Sequence, residues 1–534
     1  MSAASRESDP TSPGGELVPL EKLPGIPALA CGLATGAPDV RPFLPDAPTL
    51  EVIAERAAHV LRGFVPRTDG PAGLEELTRG RRAGIFTGQQ VGLFTGPVLT
   101  TVKAVAAIQL ARELTEAGTA VSAAFWCAAE DHDLVEVSRL VLPGPDGPRD
   151  VGPDPEPLAA NRAPVGGLPI PSEIEPILQA AAELLGQPPE GEALEMLRAT
   201  GGRTFRDAFQ ELLGWLLAGQ DLALVDASRR EDKPELVPLA ARLLRERADV
   251  KRLLTERADA LEAAGHPLQV KGDARALPLF ALVGGERFLL RETGARLELK
   301  GLSEETWEVE EVIARFESGE WLPSFSAMTR PLAASRLFPV AATILGPAEI
   351  AYWAQMLPLF GWAGIVPPVI VPRPMVALVD PGTRRLLSKL NLSVADLLGG
   401  PEPILKQRGA ERADGALGKI QELRQAATER LGALRGELLA IDAALAKPVD
   451  VTSEKISFAL DKLVEKAAEA SGRADTTLAA QLRRLAVALV PEGRLAERVY
   501  SPLTYLLRHG RAGVVTPLLT HLRWNRAGLQ VIDL

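Results

Sequence analysis

Two short polar stretches of this sequence carry residues that could do chemistry. The first, "TGQQVGLFTGP", spans residues 87–97 and contains Gly88, Gln89, Gln90, Thr95 and Gly96. Glycines let the backbone approach a ligand, and the N–H groups at a helix N-terminus attract anions. The stretch is neither a P-loop nor a GxGxxG motif, so by itself it fits either a ligand loop or a turn that only packs a helix on its strand. The paired amides of Gln89 and Gln90 favour the ligand loop.

The second stretch is the acidic turn "EDHD", formed by Glu130, Asp131, His132 and Asp133. Three carboxylates and an imidazole at one point could take a proton from an amine, hold a substrate ammonium or bind Mg²⁺. The alternative is a solvated turn in which Asp133 caps the next helix.

Buried strands must position both stretches. "AGIF" and "AVSAAFWCAA" are typical of buried strands, and a helix that begins near Pro97 and ends near Gly118 lies between them. Strand, helix and strand form a βαβ unit, so the two strands are predicted to be parallel. Both polar stretches then lie at carboxyl ends of neighbouring strands, the edge at which open α/β sheets bind ligands.

Further candidates follow later strands of the same predicted sheet, which include "DLALVDAS", "FPVAATIL" and "GIVPPVIVPR". Gly346, Glu349 and Gln355 lie at or just after one strand end and could face the same cleft, although Glu349 could equally complement the dipole of its own helix. Arg330 and Arg373 each precede a proline, where either could meet a carboxylate or phosphate or form an ordinary salt bridge.

The predicted fold class is α/β, a parallel-sheet core with inserted segments and a long helical domain. The expected divisions are a partly disordered N-terminal segment over 1–40, a core over 41–375 with insertions at about 144–172 and 262–325, a helical hairpin over 376–490, and a C-terminal segment over 491–534 that packs back on the core. Order is expected to begin near Leu50, and the second insertion is expected to be an antiparallel patch.

The helical domain shows a coiled-coil signature. Apolar residues alternate spacings of four and three along one arm, at Ala427, Leu431, Leu434, Leu438, Ile441 and Leu445. A second arm begins at Ile456, after the break "KPVD". Two arms joined by a short break predict an antiparallel hairpin.

Composition limits the partners. The 534 residues include 59 Lys+Arg and 69 Asp+Glu, a net charge of -10 with no basic block, so nucleic acid is not an expected partner. No stretch approaches the roughly 20 apolar residues of a membrane span, and the N-terminus lacks a signal peptide pattern, which predicts a cytoplasmic protein. Two distant cysteines, Cys31 and Cys127, and five scattered histidines predict no tightly bound metal, while Mg²⁺ held by carboxylates stays open.

Several motifs together resemble one family. They are "TGQQVGLFTGPVLTTVKAVAAIQLA", "AAFWCAAEDHDLVEV", "RPL" followed by "LGPAEIAYWAQ", "PPVIVPR" and "ERVYSPLTYLLRHG". The chain is similar in these motifs, in order from about residue 25 to the end, to the bacillithiol biosynthesis cysteine-adding enzyme, a cysteine ligase family.

The resemblance implies a Rossmann-like core related to class I aminoacyl-tRNA synthetases and nucleotidylyltransferases, and a homodimer through the coiled coil. It implies that cysteine is joined to the amine of glucosaminyl malate, with ATP or another nucleotide as the simplest source of activation. Asp131 or His132 would then be the base, and Glu130 or Asp133 would hold an ammonium. Arg330, Arg373 and Lys103 would meet the malate carboxylates.

The sequence departs from the family pattern at four places. Ala334 and Ser335 stand where Gln and an acidic residue are frequent, and Leu345 and Ala348 replace glycines. These changes bear on the acceptor substrate more than on the fold. HIGH and KMSKS motifs are absent, so adenylate formation is an analogy from fold. The alternatives are a nucleotidylyltransferase acting on a small sugar or acid and a non-catalytic nucleotide-binding coiled-coil protein.

Overall fold

A computed structural model describes residues 16–534 except 69, 154–161, 189, 271–272, 303–304, 413 and 475. The described residues form two compact units. The sheet unit comprises those within Met1–Gly144, Pro148–Asp380 and Ala496–Leu534, and the helical unit comprises Pro145–Gly147 and Pro381–Leu495.

Strands and helices are numbered in chain order. The strands are β1 Leu17–Val18, β2 Ala83–Gln90, β3 Val121–Ala128, β4 Leu140–Pro143, β5 Pro148–Val151, β6 Leu222–Asp226, β7 Ala276–Val283, β8 Glu286–Thr293, β9 Arg296–Leu299, β10 Thr306–Trp307, β11 Leu322–Phe325, β12 Val340–Leu345, β13 Val369–Pro372, β14 Met375–Val379 and β15 Leu529–Asp533. The α-helices are α1 Ala28–Thr35, α2 Leu50–Gly63, α3 Glu75–Thr78, α4 Leu99–Glu116, α5 Leu134–Val137, α6 Glu175–Leu185, α7 Glu192–Arg198, α8 Phe205–Leu216, α9 Lys233–Arg245, α10 Arg247–Ala263, α11 Val309–Glu317, α12 Arg330–Leu337, α13 Pro347–Met356, α14 Pro358–Ala363, α15 Pro381–Leu390, α16 Pro401–Arg412, α17 Asp414–Ile441, α18 Ala446–Ala474, α19 Thr476–Leu489 and α20 Leu503–His521.

The centre of the sheet unit is a five-stranded parallel sheet in the order β13-β12-β2-β3-β6. Strand β2 therefore has β3, its successor in this sheet, on one side and the much later β12 on the other. The chain order reverses at this point, which is the switch point where ligands bind in doubly wound sheets. The predicted Rossmann-like α/β core is confirmed.

Alternation along β2 builds the two faces of the sheet. Ile85 packs in the core on the α4 side, while its neighbour Phe86 belongs to the other core. Thirteen of the eighteen residues of α4 are buried, so this helix is covered on more than the single stripe that its sequence predicts. The C-terminal segment packs on part of α4, because Gln109 donates Nε2–H to the carbonyl oxygens of Leu519 and Leu522 at 3.2 and 2.8 Å.

The inserted segment over 262–325 forms a five-stranded antiparallel sheet in the order β10-β9-β8-β7-β11. Gly284 and Gly285, both at positive φ, make the two-residue turn between β7 and β8, which is the turn that a right-handed hairpin twist favours. The other predicted insertion, 144–172, contains β5, which pairs with β4. Residues 154–161 of that insertion lie outside the described residues.

Order begins earlier than predicted. Strand β1 pairs with β15, and Leu29 and Leu33 of α1 are buried in a core of the sheet unit. The expectation that structure starts near Leu50 is therefore wrong, because a strand of two residues and a short helix gain their stability from distant partners. Residues 1–15 of the segment predicted to be partly disordered lie outside the described residues.

The boundary near 376 also differs from the prediction. Met375–Val379 is β14, which pairs in parallel with β15, so the helical unit starts at Pro381. Five consecutive buried apolar residues lack a period that separates strand from helix. Residues 496–534 belong to the sheet unit.

The helical unit contains the predicted coiled coil. Arg424 pairs with Asp461 and Arg435 with Asp450, both at 2.8 Å, so α17 and α18 run antiparallel. Their turn lies at Asp442, whose Oδ1 accepts the N–H of Ala444, and not at "KPVD" as predicted. Residues 447–450 lie in the first turn of α18, where a proline is tolerated. Within the described part of the chain, no helix is long and apolar enough to cross a membrane.

Candidate active site

A cavity of about 380 Å³ opens where the carboxyl ends of β2 and β12 lie side by side. Its walls come from β2 and β3, from β12, and from the helices α12 and α13. Among the predicted site residues, the cavity is lined by Gly88, Gln89, Gln90, Asp131, Arg330 and Glu349. The switch point of the sheet thus brings together residues that are up to 261 positions apart in the sequence.

The glycine-rich stretch divides into two parts with different roles. Gly88, Gln89 and Gln90 belong to β2 itself and line the cavity. A Cβ atom at Gly88 would lie 2.7 Å from the carbonyl oxygen of Trp126, so glycine is required for the close approach of β3.

Thr95 and Gly96 are not among the described residues that line the cavity, so their assignment to ligand binding stays a prediction. Thr95 is buried at a φ of 70°, and Gly96 has a φ of 69°. A Cβ atom at Gly92 would lie 3.1 Å from the Cα of Gly96. This geometry is that of a tight packing turn, the alternative that the sequence left open.

Lys103 supports the cavity from inside the protein. Its side chain is 2% exposed, and its Nζ lies 2.6 Å from Glu349 Oε2. It also donates to the carbonyl oxygen of Gly88 at 3.0 Å and to Gln89 Oε1 at 3.1 Å. Burial lowers the pKa of Lys103, while the charge of Glu349 opposes that shift. An ammonium has three protons and Lys103 has three acceptors, so it is a support and not a donor to a substrate carboxylate as expected.

Glu349 has two roles. It lines the cavity, and its Oε2 accepts the N–H of Gly346 at 2.6 Å, as in a capping box at the start of α13. A carboxylate of the protein therefore occupies the N-terminus of this helix, where an external anion would otherwise be attracted. Gly346 positions Glu349 and does not itself appear among the described lining residues.

Glu130 is a buried structural residue. It forms an ion pair with Lys233, and the two side chains are 10% and 2% exposed. Ser324 donates its hydroxyl to Glu130 Oε2 at 3.0 Å. The prediction that Glu130 holds a substrate ammonium is wrong for this structure, since a lysine ammonium of the protein already fills that place.

Asp131 lines the cavity and is held by two arginines. Arg287 Nη1 lies 3.2 Å from Oδ1, while Arg330 Nη2 and Gln90 Nε2 lie 3.4 and 3.3 Å from Oδ2. Burial alone would raise the pKa of Asp131, but the charges of Arg330 and Arg287 outweigh it and lower the pKa below its usual value. A carboxylate this well stabilised is a poor base, so Asp131 positions its partners.

His132 and Asp133, the last two residues of the acidic turn, differ in their surroundings. Burial and the charge of Arg287 lower the pKa of His132, which keeps the imidazole neutral at neutral pH. Its Nδ1 lies 3.5 Å from Arg287 Nη1. Asp133 Oδ1 accepts the N–H of Glu136 at 3.4 Å and caps α5, which is the structural alternative stated for this residue. Neither residue is among the described lining of the cavity.

Two further candidates lie elsewhere. Arg373 forms an ion pair of 2.7 Å with Glu497, and the two side chains are 2% and 1% exposed. Gln355 exchanges two hydrogen bonds with the backbone of Val270, at 3.1 and 3.2 Å. The predictions that Arg373 and Gln355 bind a substrate or nucleotide are therefore corrected. Their partners, Glu497 and Val270, are distant in sequence, so the sequence could not distinguish a buried structural residue from a ligand-binding one.

Three residues of the site are not among those predicted from the sequence. Glu136 lines the cavity and accepts from Gln90 Nε2 at 3.0 Å; its place three residues after the acidic turn was an available signal. Trp126 lines the cavity inside a strand predicted only as buried. Arg287 holds Asp131 from β8, stacks on Phe280 at 3.7 Å, and has a pKa lowered by burial to about 10. Nothing local in the sequence marks it.

The charges of the cavity are mixed. Three carboxylates, Asp131, Glu136 and Glu349, line it together with the guanidinium of Arg330. Such a set fits a ligand that carries both an ammonium and a carboxylate. Among the described residues there is no group of three or more His, Cys, Asp or Glu side chains placed to hold a metal ion.

Two family models match almost the whole chain. Residues 62–374 match the N-terminal Rossmann-like domain of bacillithiol biosynthesis BshC, and residues 376–534 match its C-terminal coiled-coil domain. Similar proteins include "Putative cysteine ligase BshC" from Koribacter versatilis, 31% identical over 82% of each chain. The protein of the same name from Solibacter usitatus is 30% identical over 85% of each chain.

A solved structure, described as a putative arginyl-tRNA synthetase from Campylobacter jejuni, has 10% identity and a TM-score of 0.20 over 86% of this chain and 97% of that chain. A likeness of this size carries no argument.

Proposed function

Because the chain belongs to the BshC family of bacillithiol biosynthesis, we propose that it is a ligase that joins cysteine to glucosaminyl malate in the cytoplasm. The new bond is an amide between the cysteine carboxyl carbon and the amine of glucosaminyl malate. One carboxyl oxygen leaves, and the amine loses a proton. Bacillithiol is the product.

One observation carries this proposal. The cavity at the switch point combines Arg330 with the carboxylates of Asp131, Glu136 and Glu349. Both substrates carry an ammonium and at least one carboxylate, so each can use charges of both signs. A site for a purely anionic ligand would carry more cations than carboxylates.

Activation by ATP or another nucleotide, with Mg²⁺, belongs to the proposal because a free carboxylate does not release an oxygen unaided. When bound, the nucleotide would turn that oxygen into a leaving group. The described lining does not by itself fit a triphosphate, since its guanidinium, Arg330, already pairs with Asp131 and Glu136 adds a further negative charge. Glu349 also occupies the N-terminus of α13.

The residues of the cavity suggest the following roles. Arg330 binds a substrate carboxylate, and Asp131 orients Arg330 and Gln90. Glu136 contacts the neutral amide of Gln90 and can attract an ammonium. Of the two bases expected from the sequence, His132 is favoured over Asp131, because burial and the charge of Arg287 lower its pKa and keep its imidazole neutral at pH 7. His132 lies outside the described lining of the cavity, so it would take the amine proton through an intervening water.

The test is a reaction with pure protein, cysteine, glucosaminyl malate, ATP and Mg²⁺, followed by mass spectrometry for bacillithiol and for AMP or ADP. Arg330→Met should abolish product, whereas the matched surface control Arg198→Met, whose exposed ion pair with Glu175 lies away from the cavity, should retain it.

Each alternative predicts its own outcome, either in this assay or in a test of the cellular function. Pyrophosphate release without any need for cysteine would indicate a nucleotidylyltransferase. Full retention of the cellular function by Asp131→Ala and Arg330→Ala would indicate a non-catalytic protein. No bacillithiol from folded protein with any nucleotide would refute the ligase proposal.

A homodimer through the helical unit is a separate part of the proposal. Large apolar side chains are exposed along this unit, namely Leu423, Leu434, Ile441, Val451, Phe458 and Leu463. Exposed apolar residues in such a series are typical of a protein interface. Light scattering at micromolar concentration should give twice the chain mass of 56.9 kDa, and a monomeric mass would contradict the proposal.

A further inference from the structure

Trp126 lies on the face of the central sheet that α12 and α13 cover. Successive side chains of a strand point to opposite faces. Trp126 packs against the core that contains Leu332 of α12 and Ile350 of α13. Its neighbour Phe125 belongs to the core on the α4 side. The cavity lies on the same face as Trp126, because residues of α12 and α13 line it, so the partly buried side chain of Trp126 faces the cavity.

Gly88 keeps the floor of the cavity beside Trp126 free of side chains. The two residues are paired across β2 and β3. A Cβ atom at position 88 would lie 2.9 Å from the Cβ atom of Trp126, so only glycine fits beside this tryptophan. On the other side of β2, Thr343 pairs with Phe86. Two residues further along both strands, this register places Leu345 beside Gly88.

The row formed by Leu345, Gly88 and Trp126 is therefore a slot with two apolar walls. Leu345 is buried in the core on the same face as Trp126, and all three residues line the cavity. Because adjacent strands are about 4.8 Å apart, the two walls rise from backbones about 9–10 Å apart, with no side chain of the row between them. We call this feature the Trp126 slot.

The Trp126 slot suits a ring with C–H groups on its face. The face of an indole is electron-rich, so it attracts C–H groups, which carry a partial positive charge. A pyranose ring carries C–H groups on its faces and hydroxyl groups at its rim. Pro331 and Ala334 of α12 line the same cavity and add apolar surface.

A negative charge lies close to the Trp126 slot. Gln90 follows Gly88 by two residues on β2, so it lies on the same face about 7 Å further along the strand. Its Nε2 lies 3.0 Å from Glu136 Oε2. A ring in the slot can therefore present an attached ammonium to Glu136. A nucleotide base could stack on the same indole, but it would bring phosphates and not an ammonium towards this carboxylate.

We propose that the Trp126 slot binds the pyranose ring of an amino sugar, with the ring face on the indole and the ammonium directed to Glu136. Trp126 is then a binding residue that selects the acceptor and takes no part in bond formation. This inference rests on the proposed function for the identity of the amino sugar, which is the glucosaminyl group of glucosaminyl malate.

Titration calorimetry with glucosaminyl malate and with methyl glucosaminide, which lacks the malate, tests the inference. Trp126→Leu keeps an apolar side chain but removes the aromatic face, so it should weaken the binding of both ligands about three- to tenfold. Trp126→Phe keeps an aromatic face and should recover most of this loss. In the ligation assay, Trp126→Leu should raise KM for glucosaminyl malate and leave KM for cysteine unchanged.

Trp215→Leu is the matched control. Trp215 is also a partly buried tryptophan of the sheet unit, but it lies outside the described lining of the cavity. Both sugars should therefore bind to this variant as they bind to the unaltered protein. Thermal melting shows whether each variant is folded.

A measurement with Trp126 in place covers the case in which Trp126→Leu does not fold. Labelling the seven tryptophans with 5-fluorotryptophan gives ¹⁹F resonances, and the resonance that is missing in Trp126→Phe belongs to Trp126. The resonance missing in Trp215→Leu belongs to Trp215. Saturating methyl glucosaminide should shift the first resonance and leave the second in place.

Three results would overturn the inference: no binding of either sugar by the unaltered protein, equally tight binding of both sugars by Trp126→Leu, or a shift of the Trp126 resonance by adenosine and not by methyl glucosaminide. Bacillithiol formation with unchanged sugar binding in Trp126→Leu would refute only the slot. Weaker sugar binding in Trp126→Leu, in a protein that forms no bacillithiol, would refute only the ligase function.

Discussion

The structure assigns Glu130 to stability and not to chemistry, which the variant Glu130→Ala can test. Its carboxylate is buried against the ammonium of Lys233, which is 2% exposed. Removing one partner of a buried ion pair leaves the other charge uncompensated, at a cost of about 3–5 kcal/mol. This is a large part of the roughly 5–15 kcal/mol by which a protein is stable.

The predicted loss of stability in Glu130→Ala can be checked with a second variant. The double variant Glu130→Leu with Lys233→Met removes both charges, and such replacements of a buried pair are often neutral or stabilising. The double variant should therefore recover most of the stability that each single variant loses. As a control for an exposed pair, Glu310→Ala should leave the stability almost unchanged, because Glu310 and Arg245 are 66% and 53% exposed and water screens their attraction.

Urea unfolding measured by tryptophan fluorescence gives the stabilities, and the bacillithiol assay on the folded variants gives the activities. Substantial activity per folded molecule in the double variant is expected. The reasoning would be refuted if Glu130→Ala unfolded at the same urea concentration as the unaltered protein while losing activity, since that is the signature of a catalytic carboxylate.

Three further changes have defined outcomes. Burial and the charge of Arg287 lower the pKa of His132 below its ordinary value of about 6.5, so the imidazole is protonated only at a more acidic pH. Because a protonated imidazole cannot act as a base, the ligation rate should fall as the pH drops through the lowered pKa of His132. The variant His132→Gln should remove this fall in rate at acidic pH. Gly88→Ala places a Cβ atom 2.7 Å from the Trp126 carbonyl oxygen, so it should reduce both ligation and the melting temperature; unchanged values would contradict the close approach of β2 and β3. Arg287→Met should raise the pKa of Asp131 by removing one of the two charges that lower it, which is measurable by NMR titration of the carboxyl carbon and should not occur in the surface control Arg198→Met.

Local patterns were sufficient for the framework of the fold. The apolar runs of β2, β3, β6, β12 and β13 predicted a parallel sheet, because these runs alternate along the chain with helical patterns, as in βαβ units. The spacing of four and three in the helical unit predicted the coiled coil. Strands β1 and β14 were not predicted, because neither carries a period that separates a strand from a helix.

Within the site, the sequence placed Gly88, Gln89, Gln90, Asp131, Arg330 and Glu349 at one edge of the sheet, and the structure brings these six to one cavity. This success has a simple cause: parallel strands of one sheet end at the same edge. The same argument wrongly included Gln355, Arg373 and Glu130, which lie near strand ends but have buried partners.

The sequence by itself determined which residues lie near the carboxyl ends of the strands, because that depends on periodicity over a few residues. Only the tertiary structure decided which of their charges are already neutralised. Glu130 meets Lys233 across 103 positions, Asp131 meets Arg287 across 156, and Gln90 meets Asp131 across 41. A buried charge and a ligand-binding charge look alike in sequence, and the difference is made by a partner that folding alone brings within hydrogen-bond distance.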